Sequence, residues 1–364
     1  MLVKELVKYL EQLAPLSLQE SYDNSRLQVG NSRKSIKSAL ITVDCTEDVV
    51  REAKRKRAGV ILTHHPLIFG SLRSIAGNNY VERTLELAIK NDIAIYAIHT
   101  NLDNIYSGVN SKICDKLGIR EKNILRPKRG GLKKLYTFIP VDYAEKVKNA
   151  LFKSGAGRIG EYSEASFSSE GFGTFLASDS TKPHVGKKGV RHTEREVKLE
   201  TIFPDYLESQ VLTALLNSHP YEEVAYDIVS LDNINQMVGS GMIGELRENV
   251  SEMEFLKKIK RVMKARGLRY TKLLGKKISR IAVCGGAGSF LLQDAIDAGA
   301  DLFLSSDFKY HQFFDADNKI VIADIGHYES EQFTKELIYD LIMKKFPRFA
   351  LHLSETVTNP VKYL

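Results

Sequence analysis

Two adjacent histidines, His64 and His65, close the apolar run Gly59-Val-Ile-Leu-Thr63 and stand just before a proline. Neighbouring residues at a strand end point to opposite sides, so each imidazole can serve a different metal ion. Alone, a structural pair in a turn accounts for them equally well. A second segment, His99-Thr-Asn-Leu-Asp103, adds an imidazole and a carboxylate after Ile93-Ala-Ile-Tyr-Ala-Ile98. A third, Asp324-Ile-Gly-His-Tyr-Glu-Ser-Glu331, sets His327 and Glu331 four residues apart, a spacing at which two side chains share a helix face. Gly326 permits the sharp turn that such a helix needs at its start. By itself this segment would pass for a helix start with acids favoured by the dipole. Three such segments at equivalent strand ends favour one shared site.

The donors are imidazole and carboxylate, with no sulfur. That chemistry suits zinc, iron, manganese, cobalt or nickel rather than copper(I) or an iron–sulfur cluster. A carboxylate can bridge two ions, and a pair about 3.5–4 Å apart can activate water for hydrolysis. Two divalent ions, zinc foremost, are the expected cofactors, with their ligands drawn from these three segments. Ser305-Ser-Asp-Phe-Lys-Tyr-His311 ends a strand on the same edge, so Asp307 and His311, like His99, are expected to handle protons or orient the ligands. Cys284-Gly-Gly-Ala-Gly-Ser289 lies where backbone N–H groups can cradle a phosphate, but it lacks the Walker lysine and the full dinucleotide pattern and reads as a tight turn. His184, His192, His219 and His352 lack supporting neighbours and read as surface or packing residues.

Short β-branched runs alternating with amphipathic helices must position these groups. Strands are expected at 39–43, 59–63 and 93–98, with helices at 3–13, 47–56, 80–90 and 109–117, the signature of βαβ units on a parallel sheet. The C-terminal third repeats this order, with strands at 280–284, 302–305 and 319–323 and helices at 290–298 and 330–346. Ala58-Gly-Val-Ile-Leu-Thr-His64 can be laid over Ala298-Gly-Ala-Asp-Leu-Phe-Leu-Ser305 with one extra residue, so the two α/β halves form a quasi-repeat.

Between them, strands at 135–141, 197–202 and 223–229 and helices at 143–153 and 206–217 suggest an inserted ferredoxin-like α+β domain. Gly/Pro-containing stretches near 126–131 and 238–244 have the composition of hinges. The expected organisation is a first core half at 1–127, an insert at 128–240 and a second core half at 241–364.

The 364 residues are 43% hydrophobic and 27% charged, an ordinary balance for a globular chain. No apolar run approaches the ~20 residues a membrane span requires, and charged residues interrupt the N-terminal apolar positions, so no export signal is expected. Three dispersed cysteines argue against disulfides and thiolate zinc sites and suit a cytoplasmic location. The net charge of +7 includes basic clusters at 51–57 and 257–261. Solvated helix faces explain both clusters, and attraction of phosphate-bearing ligands or nucleic acid is the alternative.

In this order, His64-His65-Pro, His99-Thr-Asn-Leu-Asp103, Cys284-Gly-Gly-Ala-Gly288 and Gly326-His-Tyr-x-x-Glu331 resemble the NIF3-like dinuclear-metal family, also labelled GTP cyclohydrolase 1 type 2 homologs. The resemblance covers both ends of the chain. The middle segment resembles the PII- or CutA-like domain inserted in longer members. It implies metal positions at His64, His65, Asp103, His327 and Glu331, and a toroidal homohexamer with its metal sites facing an internal cavity. Arg26 stands where the family often has glycine, Tyr22 where tryptophan is frequent, and Ser305-Ser306-Asp307 where Thr-Gly-Asp is common. From ligand chemistry and resemblance together, the expected function is metal-dependent hydrolysis of a nucleotide-like or phosphorylated small molecule. A metal-stabilised regulatory protein without turnover is the alternative.

Overall fold

The computed structural model describes residues 1–160 and 162–364. It divides into two compact units, Met1–Pro127 with Met237–Leu364, and Lys128–Gln236.

In the first unit the parallel strands Ser38–Thr42, Val60–Thr63 and Ala94–Ala97 lie side by side. Every residue in them is buried, as expected of parallel strands covered on both faces. Leu27–Val29 runs antiparallel to Ala94–Ala97. A second sheet repeats the arrangement. Lys277–Ala287, Leu302–Ser306 and Val321–Asp324 are parallel neighbours, and Arg269–Tyr270 runs antiparallel to the last of them.

Each sheet also contains a strand from the other half of the core. Ala350–Leu353 pairs in parallel with Ser38–Thr42, whereas Ile119–Arg129 lies beside Ile234–Ser251 at the edge of the second sheet. One continuous apolar cluster joins both halves, including Leu6, Tyr96 and Ile113 from the first and Phe255, Leu304 and Ile338 from the second. The helices Val3–Leu13, Glu47–Arg55, Tyr80–Lys90 and Val109–Leu117 form where periodicity places them. Asn79 caps the third by accepting from Glu82 N–H.

The two basic clusters lie on amphipathic helices that bury Val49, Val50 and Ala53, and Phe255, Leu256 and Ile259. Arg51 is engaged by Glu47 and Asp48. Among the described residues, no helix is long and apolar enough to cross a membrane. Cys45, Cys114 and Cys284 are buried free thiols.

The second unit follows a βαββαβ path. Leu132–Pro140 leads to the helix Ala144–Lys153, then to Ser166–Leu176, Arg191–Pro204, the helix Glu208–Ser218 and Tyr226–Leu231. Its antiparallel sheet has the spatial order second, third, first, fourth. A core including Leu135, Val147, Leu199, Phe203 and Leu215 fills the space between sheet and helices.

Several local expectations are corrected. The Gly-rich stretch 238–244 is the interior of the 18-residue strand Ile234–Ser251, just past the boundary between the units at Gln236 and Met237. Gly239, Gly241 and Gly244 let neighbouring backbone approach closely: a Cβ at Gly244 would lie 2.4 Å from the Arg120 carbonyl oxygen. The helix expected over 330–346 is two, His327–Glu331 and Thr334–Lys345. The insert also contains the 11-residue strand Ser166–Leu176, which none of the expected strands covers. Its side chains are largely exposed, so it lacks the burial pattern that marks a core strand.

Candidate metal centre

The ladder with Ser38–Thr42 continues past Thr63, because His64 N–H bonds the Thr42 carbonyl and His65 N–H the Val43 carbonyl. Both histidines are thus fixed to the sheet where the chain turns away. Asp103 ends the short helix Thr100–Asp103, which follows the next parallel strand. His327 opens and Glu331 closes a single helical turn, entered through Gly326 at φ 91°.

These residues, distant in sequence, converge. His64 Nε2 lies 3.7 Å from Asp103 Oδ1 and 3.7 Å from Glu331 Oε1. The other oxygen of Glu331 faces His65 Nε2 at 2.9 Å and His327 Nε2 at 3.2 Å. The two Nε2 atoms of His65 and His327 are 3.3 Å apart. Three sets of potential ligand atoms therefore cluster within 4.8 Å: His64, Asp103 and Glu331; His65, His327 and Glu331; and His64, His65 and His99. Glu331, 2% exposed, presents one oxygen to each of the first two sets.

The imidazoles are held from behind. His64 Nδ1 bonds the Ile98 carbonyl at 2.9 Å, His65 Nδ1 the Asp44 carboxylate at 2.6 Å, His99 Nδ1 Asp23 at 2.9 Å and His327 Nδ1 Asp307 at 2.5 Å. A partner on Nδ1 fixes the ring and leaves Nε2 as the free donor, as in carboxylate–histidine–metal arrangements. Asp307, expected to handle protons, is engaged in orienting His327. The His99 ring contacts those of His64 and His65, with centroids 5.2 and 5.3 Å away. His311 is exposed and packs on Tyr310 and Phe314. It belongs to none of the three ligand sets.

Charge in the cluster is strongly coupled. Burial pushes the Glu331 carboxyl up, but His65, His327 and His64 outweigh it and hold the group well below its ordinary range. Burial alone would lower His65, yet Glu331 and Asp44 raise it to about 10. His327 reaches about 11 because Asp307 and Glu331 outweigh its burial. Asp103 is raised, chiefly by burial. The buried carboxylates thus call for positive charge within the cluster.

A cation fits the donor set. His64 Nε2 and Asp103 Oδ1 are buried without a hydrogen-bond partner, and a gap of 3.7 Å is too long for them to serve one another. Tetrahedral ligands at about 2.0–2.2 Å from an ion sit roughly 3.4 Å apart, close to the separations observed here.

Sequence reasoning missed two supports. Asp44 stands just beyond the strand Ser38–Thr42, on the edge that carries the histidines, and that placement was the available signal. Gly286, in the glycine-rich segment, has φ +64°, and a Cβ there would lie 2.5 Å from Glu331 Oε1. Its N–H is taken by Ser330 Oγ, and the Gly285 N–H by Asn110. These glycines therefore make room for Glu331, and both N–H groups are already satisfied by the protein.

The profile of the Duf34/NIF3 family (NGG1p interacting factor 3) matches residues 1–360. The chain belongs to this family. A relative from Bacillus subtilis, named GTP cyclohydrolase 1 type 2 homolog, is 37% identical over 99% of this chain and 98% of its own length. The crystal structure of a Bacillus cereus protein related to NIF3 superposes with a TM-score of 0.89 at 36% identity, covering 100% of this chain and 99% of the other. The Staphylococcus aureus protein SA1388 follows at 0.78 and 29%, covering 100% and 99%. The mixed α/β architecture with several sheets is thus that of solved NIF3 structures.

Proposed function

We propose that the chain is a dinuclear metal-dependent hydrolase acting on a nucleotide-like or phosphorylated substrate. The observation that carries this reading is the split of Glu331, one oxygen toward His64 and Asp103 and the other toward His65 and His327. His64, Asp103 and Glu331 would hold one divalent ion, and His65, His327 and Glu331 a second. Zinc suits the nitrogen and oxygen donors best, with iron, manganese, cobalt or nickel as alternatives. Such ions supply Lewis acidity and the activation of water at neutral pH. Asp44, Asp307 and the Ile98 carbonyl keep the imidazoles aimed inward. His99, held by Asp23, is placed to accept or return a proton at Nε2.

A cavity of about 750 Å³ opens beside His65 and His327. Arg269, Asn359 and Tyr363 line it, offering a cation, an amide and an aromatic ring to a substrate of nucleotide size. The name that the relatives share supports a guanine nucleotide as the first substrate to test. The basic clusters remain available to phosphates or nucleic acid, and a salt-dependent affinity would reveal that use. The buried free cysteines suit the cytoplasm. A homohexamer facing an internal cavity is the expected assembly by family resemblance.

The test is turnover. Protein loaded with each candidate metal is incubated with GTP, other nucleotides and phosphate esters, and products are separated chromatographically. Turnover by the wild type that vanishes in H327A/E331A supports the reading. Full metal occupancy with no turnover across the panel overturns it. That outcome favours the second reading, a metal-stabilised regulatory protein whose ferredoxin-like, PII- or CutA-like unit binds the effector. The βαββαβ order of the second unit supports it.

A further inference from the structure

The Lys128–Gln236 unit holds a cavity of about 690 Å³ between the strand Ser166–Leu176 and the segments around His184 and Tyr221. Several aromatic rings stand in its walls. Phe175 and Tyr221 meet nearly edge-on, with centroids 6.2 Å apart, and His184 lies 6.2 Å from Tyr221. Phe138 and Phe172 also line the space.

Against these rings stands Glu196. It is 8% exposed and accepts a hydrogen bond from the Tyr221 hydroxyl at 2.8 Å on Oε1. Its other oxygen lies against the backbone of Gly173, where a Cβ would sit 2.1 Å away. Gly173 is therefore what lets this carboxylate occupy the pocket. Glu222 and Glu223 add two more acids to the lining. The one lysine there, Lys198, is paired with Glu200 at 3.0 Å and lies 4.8 Å from the centre of the Tyr136 ring. The lining thus combines a nearly buried carboxylate, an excess of acids and several π faces.

Aromatic walls favour an apolar or planar body, and ring faces with a carboxylate favour positive charge. Neither property suits a phosphate. We propose that this pocket binds a small organic ammonium, a protonated amine on an apolar or aromatic body, with Glu196 receiving the N–H⁺ and Phe175 and Tyr221 enclosing the body.

The probes are phenethylamine and its neutral counterpart phenethyl alcohol, titrated calorimetrically into the full-length protein at neutral pH. The expected result is that the wild type prefers the amine at least about tenfold, since a charge-assisted hydrogen bond is roughly twice as strong as a neutral one. E196Q, which keeps an acceptor for the Tyr221 hydroxyl, should reduce that preference below about threefold. G173A should do the same by displacing the carboxylate, with the circular dichroism spectrum unchanged. H327A/E331A should bind the amine as the wild type does, separating this site from the metal centre. Equal binding of amine and alcohol, no binding of either at millimolar concentration, or a preference retained in E196Q would overturn the proposal.

Discussion

His64 Nε2 and Asp103 Oδ1 face one another across 3.7 Å, and neither has a hydrogen-bond partner. Leaving two buried polar atoms unsatisfied costs about 1–3 kcal/mol each. A bound cation would satisfy both at once. The pair therefore predicts that metal stabilises the fold. Removing it with a strong chelator should lower the melting temperature by several degrees, and re-addition of zinc should restore it. Elemental analysis of H327A/E331A should find less than half the wild-type metal. A melting temperature indifferent to chelation would contradict this expectation.

Asp307 and Asp44 each hold the Nδ1 of a proposed ligand, at 2.5 Å from His327 and 2.6 Å from His65. Asn in place of either aspartate removes the negative charge behind the ring. D307N and D44N should each weaken metal affinity about 10–100-fold, read by competition with a coloured chelator. Both variants should keep the wild-type far-ultraviolet circular dichroism.

Gly286 carries a steric prediction. With φ +64° and Glu331 Oε1 2.5 Å from the position of an added Cβ, G286A must strain the backbone and push the carboxylate aside. Metal content should fall as far as in E331A, although no ligand has been altered. Wild-type metal content in well-folded G286A would show that the carboxylate adjusts freely.

Glu52, which belongs to none of the ligand sets, makes stability depend on pH. Glu52 is buried and receives the Ser354 hydroxyl, the Glu355 N–H, and both the N–H and hydroxyl of Thr356. Burial pushes its carboxyl up, but these donors and Lys56 outweigh that effect and hold it at about 2, against an ordinary 4.5. Because the folded value is the lower one, the contribution to stability is complete above about pH 4.5. It is lost as pH falls toward about 2. Denaturant unfolding between pH 5 and pH 3 should show this loss in the wild type and a flatter profile in E52Q. Hydrogen exchange at 354–356 should rise in E52Q at neutral pH.

The same segment reaches the metal centre. Thr358 donates its hydroxyl to Asp44 Oδ2 at 2.5 Å, and Asp44 Oδ1 holds His65. Asn359 bonds Glu329 and, with Tyr363, lines the cavity beside His327. Deleting residues 357–364 should therefore raise KM for any substrate of this site more than it lowers metal content. Metal analysis alongside steady-state kinetics separates the two effects.

The sequence by itself determined the chemistry available and its local geometry. The imidazole and carboxylate donors, the adjacency of His64 and His65 and the four-residue spacing of His327 and Glu331 are properties of short segments, as are the buried strands that end beside them. Periodicity and turn chemistry act over a few residues, so they are legible without a fold. The exposed strand Ser166–Leu176 and the glycine-rich interior of Ile234–Ser251 escaped, because one lacks a burial pattern and the other carries the composition of a hinge. Only the tertiary structure decided how Glu331 divides its oxygens, which carboxylate stands behind each imidazole and where the C-terminal segment returns. Those relationships join residues 266 apart for His65 with Glu331 and 314 apart for Asp44 with Thr358. They arise from packing two sheets on one core, and no local preference of the chain encodes which distant segments that packing brings together.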